Sequence, residues 1–194
     1  HWVLGALGAI FVGLGQGGLP GMGNITVALY LLLLPDPKLS VGVLLPILSA
    51  ADIFAVHIYK RHASWVHLRR LFPWAFVGVV VGYFSFAHLN ADQIRTIIGA
   101  MLILFSLSFA VQSIRGQGKQ HTVPDNMFFR AVMGVLGGFA TMIANAAGPI
   151  AALYFLAMRL PKYAFIGTTA WFFLIINLVK VPFMIDLGII NAQW

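Results

Sequence analysis

The chain has 194 residues, of which 60% are hydrophobic and only 9% are charged. A soluble domain carries about a quarter charged residues, so this composition excludes water as the only solvent of the folded chain. The formal net charge is +7, with no glutamate, and such a basic excess is typical of cytoplasmic loops that meet anionic lipid. We therefore expect membrane lipid as a partner and no nucleic acid. The absence of cysteine excludes disulfides and thiolate metal sites, and we expect no cofactor and no metal.

Six apolar stretches follow one another along the chain. A membrane-spanning helix needs about 20 apolar residues, so the length leaves room for about six segments in one all-α, polytopic transmembrane domain covering residues 1–194. The first stretch begins at Trp2 without a charged leader, so we interpret it as part of the fold and not as a signal peptide. The stretches are approximately 2–34, 39–59, 71–89, 93–114, 128–158 and 164–187.

The first and fifth stretches are too long for single spans and contain helix-breaking residues. The first has glycines and a proline between Gly13 and Asn24, and the fifth has Asn145-Ala-Ala-Gly-Pro149 in its middle. Proline removes a backbone donor and glycine weakens a helix, so each stretch is predicted to form two half-helices that meet at an irregular turn. Such backbone survives at membrane depth only where protein or a watery cavity satisfies its polar groups.

The two broken stretches also correspond to each other when the sequence is compared with itself at an offset of 125. The order of broken helix, short loop, glycine and mid-helix Asp or Asn recurs, which predicts two related halves, each opening with a broken helix. The matching pairs include Gly13 and Gly138, Gly23 and Gly148, Ile25 and Ile150, Gly42 and Gly167, and Asp52 and Asn177.

Paired broken helices indicate a transporter site, because half-helix N-termini aim free N–H groups and positive dipole ends at a ligand near mid-membrane. An anion would be stabilised there. The residues beside the breaks are therefore candidate substrate contacts: Gly23, Asn24, Asn145 and Gly148. For a second group of glycines we favour close helix packing instead: Gly13, Gly17, Gly18, Gly134, Gly137 and Gly138.

Four polar residues within the apolar stretches are further candidates, since burying charge in lipid is costly. Asp52 either binds a coupling proton or cation, or caps a broken helix. His57, one turn beyond, is either part of a proton relay or an interfacial histidine. Asn177 contacts either substrate or a neighbouring helix. Lys180 either pairs with an anion or extends its stem toward the interface.

The sequence resembles the TauE/SafE family of sulfite and organosulfonate transporters. The resemblance lies in Gly15-Gln-Gly-Gly-Leu-Pro-Gly-Met-Gly23 and, in the second half, in Asn145-Ala-Ala-Gly-Pro149 followed by Leu160-Pro-Lys and Gly167-Thr-Thr. It covers nearly the whole chain and implies a secondary carrier of small, often sulfur-containing anions, made of two repeated halves. It also implies a polar contact at Thr168 and Thr169; the first half departs from the pattern with Gly42-Val-Leu.

On this interpretation the domain divides into repeat one at 1–114, a cytoplasmic linker at 115–127, and repeat two at 128–194. Repeat two has no counterparts of the last two helices of repeat one, so we expect either a fragment or a fold without that hairpin.

Basic residues suggest an orientation. Lys60 and Arg61 precede the third stretch, and Arg115 and Lys119 follow the fourth. Two spans separate these basic loops, so both loops lie on the same side of the membrane. Basic loops are typical of the cytoplasmic side, and we take the membrane to be a cell membrane, the bacterial inner membrane. Two topologies remain open. If the fifth stretch crosses fully, the basic residues after it, Arg159 and Lys162, lie outside. If it is a re-entrant hairpin, they lie inside and the repeats are inverted. The charge bias favours the hairpin.

The function indicated is secondary transport of a small anion, such as sulfite or an organosulfonate, with proton coupling as an open hypothesis. Two alternatives are an intramembrane hydrolase and a structural membrane subunit without transport activity. Without glutamate no H-E-x-x-H metal motif exists, and Ser49, Asp52 and His57 lack a G-x-S-x-G context. A structural subunit leaves the paired breaks unexplained. The anion, the direction of transport, the coupling ion and the oligomeric state are not determined by the sequence.

Overall fold

The computed structural model describes residues 10–13, 22–34, 36–115 and 126–190. All regular structure in these ranges is helical, which confirms the all-α prediction. Residues 10–13 are helical and a 3₁₀ turn covers Lys60–His62. The α-helices are α1 (Met22–Leu33), α2 (Pro37–Tyr59), α3 (Trp65–His88), α4 (Ala91–Arg115), α5 (Met127–Ala144), α6 (Gly148–Ala157) and α7 (Lys162–Asp186).

Four helical segments within these ranges are long and apolar enough to cross a membrane: Pro37–His62, Trp65–His88, Met127–Ala144 and Lys162–Asp186. Large apolar side chains also point away from the protein interior, such as Phe84 on α3 and Leu104 on α4, which are 58% and 64% exposed. Exposed apolar faces of this kind suit contact with lipid. The prediction of a polytopic helical membrane protein is confirmed.

Polar side chains define where several helices begin. Asp36 accepts a hydrogen bond from the N–H of Lys38 at 2.9 Å, and Pro37 follows at the first helical position of α2. Asn126 caps α5 by accepting from Phe129 N–H at 2.8 Å. Asn90 and Gln93 bond each other's backbone N–H at the start of α4, at 2.9 and 3.0 Å. These contacts satisfy backbone donors that the first turn of a helix leaves without partners.

Helices α3 and α5 pack backbone to backbone. A Cβ atom on Gly138 would overlap the carbonyl of Ala75, and one on Gly78 would overlap the carbonyl of Val135. A Cβ on Gly134 would likewise overlap Trp74. Small residues permit this approach because no side chain separates the backbones.

The packing interpretation of the glycines therefore holds for Gly134 and Gly138. Gly137 makes only ordinary contact, since an added Cβ would lie 3.6 Å from Ile150. A Cβ on Gly13 would meet no described atom within 4 Å, so close packing is not seen there. Gly17 and Gly18 lie outside the described residues.

Helices α2 and α7 run antiparallel to each other. Near the start of α2, Gly42 lies against Ile189, just beyond the end of α7. Near the start of α7, a Cβ on Gly167 would be 2.7 Å from the carbonyl of Tyr59, at the end of α2. Midway between these two contacts Asp52 meets Asn177.

The start of α7 consequently lies at the same end of the molecule as the basic turn after α2. The ring of Tyr163 is 5.6 Å from that of His62, and Ser64 N–H donates to Thr168 at 2.8 Å. Lys162 therefore lies on the side of the molecule that carries Lys60. This is the arrangement expected if the fifth apolar stretch enters and leaves at one face.

The fifth stretch is broken where the sequence predicts. Helix α5 ends at Ala144, and Asn145 adopts the left-handed conformation with φ 51° and ψ 28°. Ala147 caps α6, which begins at Gly148 and has ten residues. At 1.5 Å per residue α6 is about 15 Å long, about half the apolar thickness of a bilayer. The predicted first break falls on residues 14–21, outside the described residues.

Candidate functional site

A buried polar cluster lies beside the break between α5 and α6. At its centre is Lys180 of α7, which is 0% exposed. Its ammonium donates to Thr141 Oγ1 at 3.2 Å, to Asn145 Oδ1, and to Asn177 Oδ1 at 3.4 Å. Lys180 thus points into the protein and does not extend its stem toward an interface. An ammonium has three donors, and all three have protein acceptors in this conformation.

Asn145 links three elements of the structure. Its side-chain oxygen accepts from Lys180 of α7, while its amide nitrogen donates to the carbonyl of Val41 in α2 at 2.8 Å. Its own backbone N–H bonds the carbonyl of Thr141 in α5. Asparagine tolerates the left-handed backbone that ends α5, and the same residue then fixes the break against both neighbouring helices.

Asp52 and Asn177 extend the cluster from α7 to α2. The amide nitrogen of Asn177 donates to Asp52 Oδ2 at 2.8 Å, and the two side chains are 3% and 0% exposed. Asn177 therefore contacts a carboxylate with its nitrogen and the ammonium of Lys180 with its oxygen. The expectation that Asp52 and Asn177 face the protein interior agrees with this geometry.

The N-terminus of α6 presents backbone donors at the break. No described residue accepts from the N–H groups of Ala147, Gly148 or Ile150, and the N-cap supplies no side-chain acceptor. Free N–H groups and the positive end of the helix dipole favour a negative ligand at such a position. The buried ammonium of Lys180 adds a full positive charge near the break, because it contacts Asn145, which lies three residues before Gly148.

Space adjoins the glycines at the predicted breaks. A Cβ added to Gly148 would meet no described atom within 4 Å, although the flanking residues Ala147 and Pro149 are buried. The same holds for a Cβ on Gly23, which is half-buried at the start of α1. Gly148 therefore leaves room next to the donors of α6. The side chain of Asn24 lies outside the described residues.

Thr168 and Thr169 lie apart from the cluster. They precede Lys180 by 12 and 11 residues on the same helix, which is about 16–18 Å. The Thr168 hydroxyl accepts from the Ser64 backbone and joins α7 to the turn after α2. The Thr169 hydroxyl is buried with no hydrogen-bond partner among the described residues. Their position favours a role at the far end of α7, away from the break.

His57 is exposed on α2. Ser49 donates to the carbonyl of Leu45 at 2.8 Å, a helix-internal contact. The three residue types of a hydrolase triad are thus present on α2, and the contacts described for Ser49 and Asp52 are with other residues. Asp52 accepts a hydrogen bond from Asn177.

Sequence reasoning missed two members of the cluster. Thr141 is one helical turn before Asn145, so its spacing places it on the same face of α5 and could have revealed it. The carbonyl of Val41 is a backbone group whose role depends on how α2 meets the break, and no sequence signal marks it.

Comparison with protein families agrees with this architecture. The family model described as Sulfite exporter TauE/SafE matches residues 5–194. The chain belongs to the TauE/SafE family. A search of curated proteins and a search of solved structures each returned no match.

Membership of TauE/SafE confirms the resemblance seen in the two glycine-containing motifs. It makes this chain a membrane protein of a transporter family, in agreement with its four helices of spanning length. A transporter family also favours the interpretation without enzymatic activity. Substrate and site belong to the proposal that follows.

Proposed function

We propose that this chain is a secondary transporter of a small anion, bound at the α5–α6 break between the free N–H groups of α6 and the ammonium of Lys180. A sulfur oxyanion such as sulfite or an organosulfonate suits the site. The observation that carries the proposal is the fully buried lysine held against Asn145 at a broken helix. A buried charge is expensive even with an opposite charge nearby, and one placed at an anion-attracting helix end has a functional explanation.

An oxyanion has several acceptor oxygens and loses much hydration when it enters the protein. The N–H groups of Ala147, Gly148 and Ile150 would replace part of that hydration as hydrogen-bond donors without carrying permanent charge. Lys180 would supply one charge-assisted bond. The space beside Gly148 allows close approach of the substrate to the backbone.

In the conformation described, the ammonium of Lys180 is saturated by protein acceptors. Its longest contact is with Asn177 Oδ1, at 3.4 Å. A bound anion would replace this contact most readily, since a longer hydrogen bond is weaker. Asn145 would then position Lys180, and its own amide nitrogen keeps one further donor beyond the bond to Val41.

Inverted repeats would explain how such a site alternates between the two sides. The antiparallel contact of α2 with α7 supports them. Asp52 and Asn177, which are 125 positions apart, bond each other at the crossing. Gly42 packs on Ile189. At the offset of 125, the counterpart of Gly42 is Gly167 and the counterpart of Ile189 is Ser64. Gly167 packs beside Ala63, the residue before Ser64.

Each repeat thus packs its glycine on the end of the other repeat's helix. Antiparallel helices exchange under a two-fold axis perpendicular to both, and for membrane-spanning helices that axis lies in the membrane plane. This is the symmetry of many secondary transporters whose substrate sites lie near mid-membrane at the repeat interface. The basic ends near Lys60 and Lys162 would face the cytoplasm.

Flux in proteoliposomes tests the proposal. Purified protein is expected to take up labelled sulfite, methanesulfonate or a small carboxylate with saturable kinetics. Selective flux of cations would contradict the anion assignment. Chemical conversion of the solute would favour the hydrolase alternative, and the absence of any flux would favour a structural subunit.

A further inference from the structure

We infer that each transported anion is a monoanion and that it moves together with one proton carried by Asp52. The inference rests on the proposed function and deepens it, because it assigns the charge of the substrate and its coupling ion. It follows from the charges buried around the break. Asp52 and Lys180 are the buried charged residues of the described chain, one of each sign, and both are 0% exposed.

The two charges are connected through a single amide. Asn177 donates to the Asp52 carboxylate at 2.8 Å and accepts from the Lys180 ammonium at 3.4 Å. The charges of Asp52 and Lys180 therefore sum to zero when no anion is bound. Neutral pairs are tolerated in a low-dielectric interior, whereas an unbalanced charge is not.

An anion that binds Lys180 disturbs this balance. The bound site then holds two negative groups and one positive group, and the anion loosens the contact between Lys180 and Asn177. A proton on the carboxylate of Asp52 restores neutrality. Anion and proton therefore bind cooperatively, and by linkage each raises the affinity for the other by the same factor.

The charge of the substrate follows from the same count. A monoanion, the protonated Asp52 and the Lys180 ammonium sum to zero. A dianion would leave one negative charge uncompensated in the protein interior, even with Asp52 protonated. The site is thus matched to sulfonates, bisulfite and monocarboxylates and disfavours sulfate.

Several other titratable groups of these helices are exposed or make contacts elsewhere. His57 on α2 is exposed. Tyr83 on α3 bonds Asp186 at the end of α7. Arg130 lies in the first turn of α5, fifteen residues before Asn145, or about 22 Å along a helix. Among the described residues Asp52 is the buried carboxylate, so it is the group that we expect to answer a charge placed on Lys180.

Methanesulfonate uptake into proteoliposomes tests the inference, because this anion stays monovalent across the working pH range. With membrane potential clamped at zero, an inside-alkaline gradient should drive accumulation by about tenfold per pH unit. A membrane potential without a pH gradient should drive none. A pH-sensitive dye in the lumen should record one proton entering with each anion. Sulfate should compete at least about tenfold more weakly than methanesulfonate.

Asp52→Asn separates coupling from transport. The amide keeps the shape of a protonated carboxyl but cannot exchange a proton, so the variant should exchange labelled for unlabelled methanesulfonate yet fail to accumulate it under the pH gradient. The matched control is Asp92→Asn, at an exposed aspartate in α4, which should accumulate as the wild type does.

Saturable wild-type uptake that follows the membrane potential, ignores the pH gradient, or brings in no proton would overturn the inference and leave anion transport standing. Accumulation by Asp52→Asn under the pH gradient would do the same. If the wild type transports no anion, the proposed function itself is rejected, and the inference with it. Should Asp52→Asn fail to fold, the dye measurement on wild-type protein still decides the question.

Discussion

At the scale of single residues, Lys180 provides the sharpest prediction. Lys180→Met removes the ammonium while keeping an unbranched side chain, so uptake should fall at least about tenfold because a charge-assisted bond to the anion is lost. The variant also removes the positive charge of Lys180 that balances the buried Asp52, so the free energy of unfolding should fall as well.

The double variant Asp52→Asn/Lys180→Met removes both charges and should recover stability without recovering transport. Thermal unfolding in detergent and uptake by the same preparations measure the two effects. Lys162→Met, at an exposed lysine at the start of α7, is the matched control and should change neither. Normal uptake by Lys180→Met would remove lysine from the proposed site.

Asn145 yields a second prediction at this scale. Asn145→Ala deletes the acceptor for Lys180 and the donor to Val41, two contacts that hold the break in place. Hydrogen bonds to charged groups contribute about 1.5–3 kcal/mol, so the apparent affinity for the anion should weaken by at least about tenfold. The concentration dependence of uptake measures this change.

The control for Asn145→Ala is Asn90→Ala. Asn90 lies just before α4 and caps that helix. Its replacement should cost about 1 kcal/mol of stability and leave uptake per folded molecule unaltered. An Asn145→Ala protein with wild-type concentration dependence would contradict a role for this side chain at the site.

At the scale of helices, replacement by alanine should affect stability differently at two glycines on either side of the break. Gly138→Ala places a methyl group against the carbonyl of Ala75, where α3 and α5 touch, and should destabilise the fold by about 1–3 kcal/mol through overpacking. Gly148→Ala meets open space and should fold normally. Unfolding of the two variants in detergent compares them directly.

Gly148→Leu extends the comparison to function. Its side chain would occupy the space beside the α6 donors, so a folded protein with strongly reduced uptake is expected. Full activity of folded Gly148→Leu would show that the substrate does not approach the backbone there.

The sequence predicts the break between α5 and α6 because Asn, Gly and Pro interrupt an apolar run, a local effect of backbone chemistry. It also predicts the buried Asp52 and Asn177, since polar residues deep in apolar helices must face the interior. It does not predict that Lys180 points inward, because a lysine stem can reach either an interface or an internal acceptor. The choice depends on two acceptors of another helix, Thr141 within α5 and Asn145 at its end. The distance of Thr168 and Thr169 from the break likewise depends on how α7 packs.

At the scale of the whole molecule, the antiparallel contact of α2 and α7 predicts which ends share a membrane face. The chain has no cysteine, so single cysteines can be introduced without background labelling. Lys60→Cys and Lys162→Cys should react with a membrane-impermeant thiol reagent from one side, and Ala91→Cys from the other. Labelling of Lys60→Cys and Lys162→Cys from opposite sides would exclude the re-entrant hairpin and, with it, the inverted repeats.

The central claim is that this molecule carries anions through a site built on the α5–α6 break and Lys180. Uptake of labelled methanesulfonate by proteoliposomes, measured side by side for wild type, Lys180→Met and Lys162→Met at equal amounts of folded protein, tests it most directly. Saturable uptake by wild type and Lys162→Met, with a loss of at least about tenfold in Lys180→Met, is the result predicted. Equal uptake by all three proteins would contradict the claim.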